Sequence, residues 1–136
     1  MRLLVTGDRY WEWEDRVIIL LVIKELQPTC IIHGGARGVD YIAGKVGEYL
    51  GIEVIVFPAE WHIYGKAAGP IRNLQMIEEG QPDFILAFHR DINKSKGTKH
   101  MLSQAVKYKI PHKLIEVEED AAEAILICDY LKSISE

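Results

Sequence analysis

The fold is decided by the stretch Ile32-His-Gly-Gly-Ala-Arg-Gly-Val-Asp40. A short apolar run over residues 29–33 leads into it and predicts a β-strand. Residues 39–50, which follow the glycines, carry apolar side chains at helical spacing and predict a helix. A strand, a glycine-rich turn and a helix in this order indicate one unit of an α/β fold.

The same alternation continues in both directions from this stretch. Apolar runs predict strands at residues 3–6, 29–33, 52–57, 84–88 and 113–117. The segments between and after them predict helices at residues 15–26, 39–50, 70–79, 98–108 and 121–134. The first helix has apolar residues on more than one face, so we expect it to be well buried. The order predicts an α/β fold, with a doubly wound, mainly parallel five-stranded sheet and helices on both faces.

Length and charge narrow the function classes. The 136 residues predict one domain over residues 1–136, because no linker or repeat divides them. Sixteen Lys and Arg against twenty Asp and Glu give a net charge of −4. A protein whose whole surface is positively charged for binding nucleic acid is therefore excluded. Residues 89–113 are a local exception, with seven Lys or Arg and one acid.

The remaining composition argues against a metal, a disulfide framework and a membrane. Cys30 and Cys128 have no zinc-ligand spacing, and the five histidines show no metal-binding arrangement. The longest apolar run, residues 17–23, is far short of the ~20 residues that span a bilayer. The start of the chain lacks the pattern of a secretion signal. We therefore expect a cytoplasmic protein.

Unusual residues follow the predicted strands at one edge of the sheet. The first strand is followed by Gly7-Asp8-Arg9 and the second by the glycine-rich stretch. Residues 69–73 and 90–98 close the loops after the third and fourth strands. In open α/β sheets, ligands bind outside the carboxyl ends of the strands, so we expect the site there.

The glycine-rich loop is a candidate phosphate site. Its backbone N–H groups and the following helix N-terminus can face an anion, and Arg37 can add a guanidinium. Asp40 suits the helix dipole or a ribose hydroxyl. The loop matches neither GxGxxG nor the Walker A pattern. A tight turn that needs glycine for geometry fits the same residues: Gly34, Gly35, Ala36 and Gly38.

Two further pairs point to an anion. Gly97-Thr98 opens a predicted helix after a strand, where the same reasoning applies. Arg72-Asn73 falls in a predicted first helical turn, where a cation opposes the helix dipole. Either a bound anion or a salt bridge explains the arginine. The salt-bridge partners would be Glu78, Glu79 or Asp83.

The first loop and the aromatic residues leave several roles open. Asp8 fits a catalytic carboxylate, a ribose acceptor or the ion-pair partner of Arg9. Trp61 is a candidate for stacking on a base. The same role is open to Trp11, Trp13 and Tyr64, which also suit the roof of the sheet edge or a dimer contact.

Taken in order, these segments resemble the YspA-like family of the SLOG superfamily. That superfamily includes the Lonely-guy phosphoribohydrolases and the DNA-processing protein A group. The resemblance runs from about residue 3 to 112. The segments that carry it are Val5-Thr-Gly-Asp-Arg-Tyr, Ile32-His-Gly-Gly-Ala-Arg-Gly-Val-Asp40, Phe57-Pro-Ala-Glu-Trp61, Ala68-Gly-Pro-Ile-Arg-Asn73, Pro82-Asp-Phe-Ile-Leu-Ala-Phe88 and Gly97-Thr98.

The resemblance implies a Rossmann-like sheet that binds a nucleotide or a nucleotide-derived ligand, and it specifies no cofactor beyond that ligand. It also implies a homo-oligomer, most simply a dimer. The positions that match the family's site motifs are Gly7, Asp8, Arg9, Gly34, Gly35, Ala36, Arg37, Gly38, Asp40, Arg72, Asn73, Gly97 and Thr98.

One departure separates the chain from the Lonely-guy enzymes. Those carry a glutamate three residues after the threonine, where this chain has Met101. Three functions therefore stay open. The first is a binding module or sensor for a nucleoside phosphate, ADP-ribose or an NAD-like ligand. The second is an enzyme that cleaves an N-glycosidic bond with Asp8 or Asp40. The third is DNA binding or processing.

Overall fold

The computed structural model describes residues 1–116. The strands in this range form one all-parallel sheet. Its five strands lie in the order β3-β2-β1-β4-β5. They are β1 (Arg2–Gly7), β2 (Cys30–His33), β3 (Glu53–Val56), β4 (Phe84–His89) and β5 (His112–Glu116). The helices are α1 (Arg16–Leu26), α2 (Val39–Tyr49), α3 (Trp61–Tyr64), α4 (Ala68–Glu78) and α5 (Lys96–Lys107). The predicted α/β, Rossmann-like parallel sheet of five strands is confirmed.

Successive side chains of a strand point to opposite faces of the sheet, so this sheet has apolar side chains on both faces. Helices cover each face. Leu3, Val5 and Phe88 pack with residues of α1 and α2 in one core. Leu4 and Ile32 pack with residues of α4 and α5 in the other. The chain leaves β1 toward β2 and leaves β4 toward β5, so the direction of winding reverses between β1 and β4. This topological switch point is where such sheets place a ligand.

The first helix differs from its prediction in how it begins and in how much of it is buried. A 3-10 turn, Trp13–Asp15, precedes α1, and the helix ends at Gln27 in a left-handed conformation. The expectation that α1 is well buried was wrong, since only Ile19, Val22 and Ile23 are buried and Val17 is 47% exposed. A helix on the outside of a three-layer fold packs one stripe against the sheet, and its other faces remain partly open.

The segment before α4 contains helical turns that the pattern did not predict. Trp61–Tyr64 forms α3, and Gly65–Ala67 forms a 3-10 turn that runs into α4. The fourth helix begins at Ala68, two residues before Pro70. Proline is tolerated there because the first N–H groups of a helix have no intrahelical acceptor. Arg72 therefore lies in the second turn, and the prediction of a first-turn arginine was wrong.

Three predictions fall outside the described residues. They are the helix over residues 121–134, the position of Cys128 and the last residue of the fifth strand, Val117. No helix within residues 1–116 is long and apolar enough to cross a membrane.

Candidate functional site

The loops after β1, β2 and β4 meet at the carboxyl edge of the sheet. The N–H of Asp8 donates to the carbonyl of Phe88 at 2.9 Å. The carbonyl of Asp8 accepts from the N–H of Val39, the first residue of α2, at 3.0 Å. These two bonds attach the loop after β1 to the end of β4 and to the start of α2. The sequence predicted this edge as the site, and the structure brings its loops together there.

The carboxylate of Asp40 fixes the conformation of the glycine-rich loop through two hydrogen bonds. Its Oδ2 accepts from the N–H of Gly34 at 3.0 Å and from that of Ala36 at 3.3 Å. Burial raises the pKa of this carboxyl to about 6, although the Arg72 guanidinium and the two N–H groups oppose the shift. The N–H of Gly35 donates to Nδ1 of His33 at 3.0 Å. Three loop N–H groups are thus used inside the protein, and Asp40 shapes the loop.

Two other N–H groups of the loop make no hydrogen bond among the described residues, but Arg37 is exposed to solvent whereas Gly38 is buried. Hydrogen bonds within residues 1–116 leave the N–H groups of Arg37 and Gly38 unused. These two groups stand at the start of α2, where the partial positive charge of the helix adds to them. The glycine-rich loop therefore combines a turn fixed by Asp40 with a short stretch that can face an anion.

Two glycines of this loop are required by close contacts. A Cβ on Gly34 would overlap the Arg72 guanidinium. Gly38 has φ +79°, and a Cβ there would overlap the backbone of Asp8 and Arg9. Gly7 is likewise confined, because a Cβ on it would overlap the carbonyl of Phe88. The alternative that glycine serves geometry in the glycine-rich loop therefore applies to Gly34 and Gly38.

Arg72 is the most constrained cation of the site. It is half-buried, its Nη1 donates to the carbonyl of Gly34, and its Nε donates to Oδ1 of Asn73 at 3.2 Å. Among the described residues no carboxylate lies within ion-pair distance of it, so the predicted alternative of a salt bridge to Glu78, Glu79 or Asp83 does not occur there. Burial lowers the pKa of Arg72, Asp40 raises it and the neighbouring Arg9 lowers it.

Two exposed arginines, Arg9 and Arg37, lie in the loops after β1 and β2, and Arg9 is close enough to Arg72 to lower its pKa. Arg9 follows Asp8, and Arg37 holds its guanidinium carbon 5.7 Å from the ring centre of Tyr10. Neither forms an ion pair with a carboxylate within the part of the chain that the structure describes. The edge is therefore locally positive although the chain as a whole is acidic.

The start of α5 lies beside Asn73. The Nδ2 of Asn73 donates to the carbonyl of Gly97 at 3.3 Å and lies 3.0 Å from Nδ1 of His100. Ser95 caps the helix by accepting from the N–H of Thr98 at 3.2 Å. Thr98 is 3% exposed, yet its hydroxyl makes no hydrogen bond within residues 1–116. A Cβ on Gly97 would meet nothing within 4 Å, so the space at this helix start is open.

His89 is a site residue that the sequence reasoning missed. Asp8 and His89 are each 6% exposed, and Oδ2 of Asp8 lies 3.6 Å from Nδ1 of His89. Oδ1 of Asp8 accepts from the N–H of Tyr10 at 2.8 Å. The alternative that Asp8 pairs with Arg9 is not what the described residues show. The sequence signal that could have indicated His89 is its position as a polar residue at the end of the apolar run that forms β4.

The aromatic residues divide into buried and exposed. Trp11 is 5% exposed and packs on Phe88 with ring centres 5.8 Å apart, so the stacking role left open for it was wrong. Trp61 is 55% exposed, and its ring lies beside Gly69, close to the start of α4. Trp13 and Tyr64 are also exposed. No cluster of metal-ligating side chains is present among the described residues.

Comparison with known proteins places the chain in a family. The model of the YspA, cpYpsA-related SLOG family (YAcAr) matches residues 1–64. The Gene 61 protein of Mycobacterium phage D29 is 36% identical over 120 residues, which cover 81% of this chain and 92% of that protein. The chain belongs to the YspA, cpYpsA-related SLOG family.

Solved structures share the fold of this SLOG protein. DNA processing protein A from Streptococcus pneumoniae has a TM-score of 0.66 at 16% identity. That match covers 98% of this chain but 56% of the larger protein, so the SLOG chain spans little more than half of it. The molybdenum cofactor carrier protein from Chlamydomonas reinhardtii has a TM-score of 0.59 at 18% identity, with 97% of this chain and 98% of that chain covered.

Proposed function

We propose that this SLOG protein binds a nucleotide or nucleotide-derived ligand at the carboxyl edge of its sheet. The ligand class is a nucleoside phosphate, ADP-ribose or an NAD-like dinucleotide. The observation that carries the proposal is the half-buried Arg72 guanidinium, which has no carboxylate partner among the described residues.

Asp40 acts on the Arg72 guanidinium through space but lies outside ion-pair distance, and buried charges are normally paired directly. The guanidinium of Arg72 is fixed by the carbonyl of Gly34 and by Asn73, so its position is set before any ligand arrives. A phosphate beside it would restore the missing partner with charge-assisted hydrogen bonds. Arg9 and Arg37 would add positive charge from the neighbouring loops.

Two separate anchoring points support a ligand larger than one phosphate. The unpaired N–H of exposed Arg37 marks one, and the open start of α5 with the Thr98 hydroxyl marks the other. A nucleotide or a dinucleotide carries phosphate, ribose and base, which suits a divided site. Exposed Trp61 is the candidate to stack on the base.

Replacing Arg72 by alanine is expected to weaken nucleotide binding roughly 10- to 100-fold, because it removes charge-assisted hydrogen bonds of about 1.5–3 kcal/mol. A ligand at 100 times its Kd adds ~2.7 kcal/mol of stability, a thermal shift of roughly 10 °C. Shifts with AMP, ADP, ADP-ribose and NAD⁺ would be compared between wild type and Arg72→Ala. Lys24→Ala is the matched control, because exposed Lys24 in the last turn of α1 lies at the opposite edge.

The shifts would be referred to the unfolding temperature of each variant without ligand, since Arg72 also bonds to the loop. An Arg72→Ala protein that binds as tightly as the Lys24→Ala protein would disprove the role of Arg72. Wild-type protein that no phosphate compound stabilises would overturn the proposed function.

Replacing Gly97 by alanine separates stability from binding. The new Cβ meets open space and the backbone angle is ordinary, so the unfolded chain loses freedom and stability rises by about 0.4–1 kcal/mol. If a phosphate approaches this helix start closely, the same Cβ lowers its affinity. Urea unfolding and the ligand titration measure the two effects. If the variant is more stable but binds the ligand with unchanged affinity, the phosphate does not lie close to the start of α5.

Nucleic acid is the second candidate ligand of the same edge. Three exposed lysines, Lys94, Lys96 and Lys99, surround the start of α5 within the basic stretch. Binding of single-stranded DNA that weakens steeply with salt, in the absence of any nucleotide effect, would favour this function. A homodimer is kept as part of the proposal, since α3 exposes Trp61, Ile63 and Tyr64.

A further inference from the structure

The side chain of Asn73 joins Arg72 to the start of α5. Asn73 follows Arg72 in α4 and is 3% exposed. Its Oδ1 accepts from Nε of Arg72 at 3.2 Å. Its Nδ2 donates to the carbonyl of Gly97 at 3.3 Å and lies 3.0 Å from Nδ1 of His100. One buried amide group therefore stands between the guanidinium and the backbone of α5.

These contacts fix the orientation of the amide. The guanidinium of Arg72 can only donate, so it faces Oδ1, and the carbonyl of Gly97 can only accept, so it faces Nδ2. Nδ1 of His100 then accepts the second hydrogen of Nδ2. Both amide hydrogens of Asn73 are thus used inside the protein.

The residue at this position has to meet two opposite demands. It must accept a hydrogen bond from Arg72 and donate hydrogen bonds to Gly97 and His100. An ionised aspartate would accept from Arg72 and form an ion pair with it, but it has no hydrogen for the carbonyl of Gly97. A carboxamide does both and carries no charge. Arg72 is thereby held in place without a counter-ion.

The other neighbours of the guanidinium do not pair with it either. The carbonyl of Gly34, which accepts from Nη1 of Arg72, is neutral. The Asp40 carboxylate acts on Arg72 through space, but no ion pair joins the two. Arg9 acts on Arg72 as a second positive charge. Among the described residues, every hydrogen bond of the guanidinium therefore goes to a neutral oxygen.

We propose that Asn73 is the positioning residue of the site and that its neutrality reserves the charge of Arg72 for a phosphate. Asn73 acts on the ligand through Arg72, which it ties to the start of α5 and leaves unpaired. The site therefore selects a phosphorylated ligand over the nucleoside that lacks the phosphate, because the phosphate supplies the missing counter-ion. This inference rests on the proposed function and assigns the source of its preference for phosphate.

Asn73→Asp tests the role of charge, because the new carboxylate has nearly the shape of the amide and still accepts from Arg72. Pairing of Arg72 with it should weaken nucleotide binding roughly 10- to 100-fold. Asn73→Ala removes every hydrogen bond of the side chain but adds no charge, so binding should weaken roughly 2- to 5-fold. Titration calorimetry measures the affinities for AMP, ADP, ADP-ribose and NAD⁺, with adenosine as the unphosphorylated probe.

The order of the two variants separates a charge effect from a structural one. A residue that only holds the loops together would suffer more from alanine than from an aspartate of the same shape. Added salt should weaken nucleotide binding to the wild type, and Asn73→Asp should show a flatter salt dependence. Lys24→Ala should match the wild type in affinity and in salt dependence. Circular dichroism checks that each variant is folded.

A double variant tests whether the new carboxylate acts through Arg72. Arg72→Gln removes the charge and keeps an amide that can donate to the neighbouring side chain. Combined with Asn73→Asp, it should bind nucleotide about as weakly as Arg72→Gln alone, since there is no charge left to neutralise. Losses that add would show that the carboxylate repels the ligand directly, and the inference would be wrong.

An Asn73→Asp protein that binds nucleotide as tightly as the wild type, or more tightly than Asn73→Ala, would overturn the inference and leave the proposed function standing. Equal wild-type affinity for adenosine and for the phosphorylated probes would overturn it as well. Wild-type protein that binds none of the four phosphate compounds would overturn both. Weaker binding by Asn73→Asp than by Asn73→Ala, with a flatter salt dependence and no further loss in the double variant, would support it.

Discussion

Replacing Gly38 by alanine is expected to destabilise the protein by about 3 kcal/mol or more. Gly38 caps α2 at φ +79° and ψ −131°, a backbone conformation that residues with a Cβ rarely adopt. The added Cβ would also overlap the backbone of Asp8 and Arg9. That backbone cannot move away, because Asp8 is bonded to β4 and to the first residue of α2. Urea unfolding followed by circular dichroism measures the loss.

Gly51→Ala is the matched control for that prediction. Gly51 also has a positive φ, +72°, but a Cβ there meets nothing within 4 Å. Its replacement should cost about 1–2 kcal/mol, the price of the left-handed conformation alone. Equal losses for the two variants would show that the contact with the loop after β1 adds nothing.

Asp40 and His33 are expected to give opposite pH dependences of stability. The pKa of Asp40 is raised from 3.8 to about 6, so its folded form holds the proton more tightly. Its contribution is present at low pH and is lost, by about 3 kcal/mol, as the pH rises from about 4 through 6. Burial and Arg72 lower the pKa of His33 from 6.5 to about 4. Its contribution is present above pH 6.5 and is lost, by about 3 kcal/mol, as the pH falls toward 4.

The two contributions nearly cancel in the wild type between pH 4 and 6.5. Asp40→Asn keeps an acceptor for the loop and removes one of them, so this variant should lose stability on acidification relative to wild type. His33→Asn keeps an acceptor for the Gly35 N–H and should gain stability on acidification relative to wild type. Urea unfolding at constant ionic strength across this pH range tests both. Parallel stability curves for the three proteins would refute the assignment.

The sheet could be predicted because its signal is local and repeated. Each strand is a short apolar run, and each helix after it has helical spacing, so the order of elements follows from the pattern. The short helix α3 gave no such signal, since four exposed residues complete barely one turn and have no buried face. The start of α4 was misplaced for a related reason, because Pro70 stands inside the first turn and not at its first residue.

The sequence also predicts which edge of the sheet gathers the loops of the candidate site, because ligands of open α/β sheets bind where the strands end. The roles of single residues at that edge depend on contacts between distant parts of the chain. Arg72 reaches the carbonyl of Gly34, which is 38 residues earlier in the sequence. Asp8 faces His89 only because β1 and β4 are neighbours. No periodic pattern encodes such pairs.

The central position of β1 has a consequence for synthesis. β1 leaves the ribosome well before one of its two partners, β4, which begins about 80 residues later. At 5–20 residues per second, roughly 4–16 s pass before that partner emerges. Until then one edge of β1 has no neighbouring strand to pair its backbone N–H and C=O groups. The sheet is therefore completed late, when β4 docks beside β1.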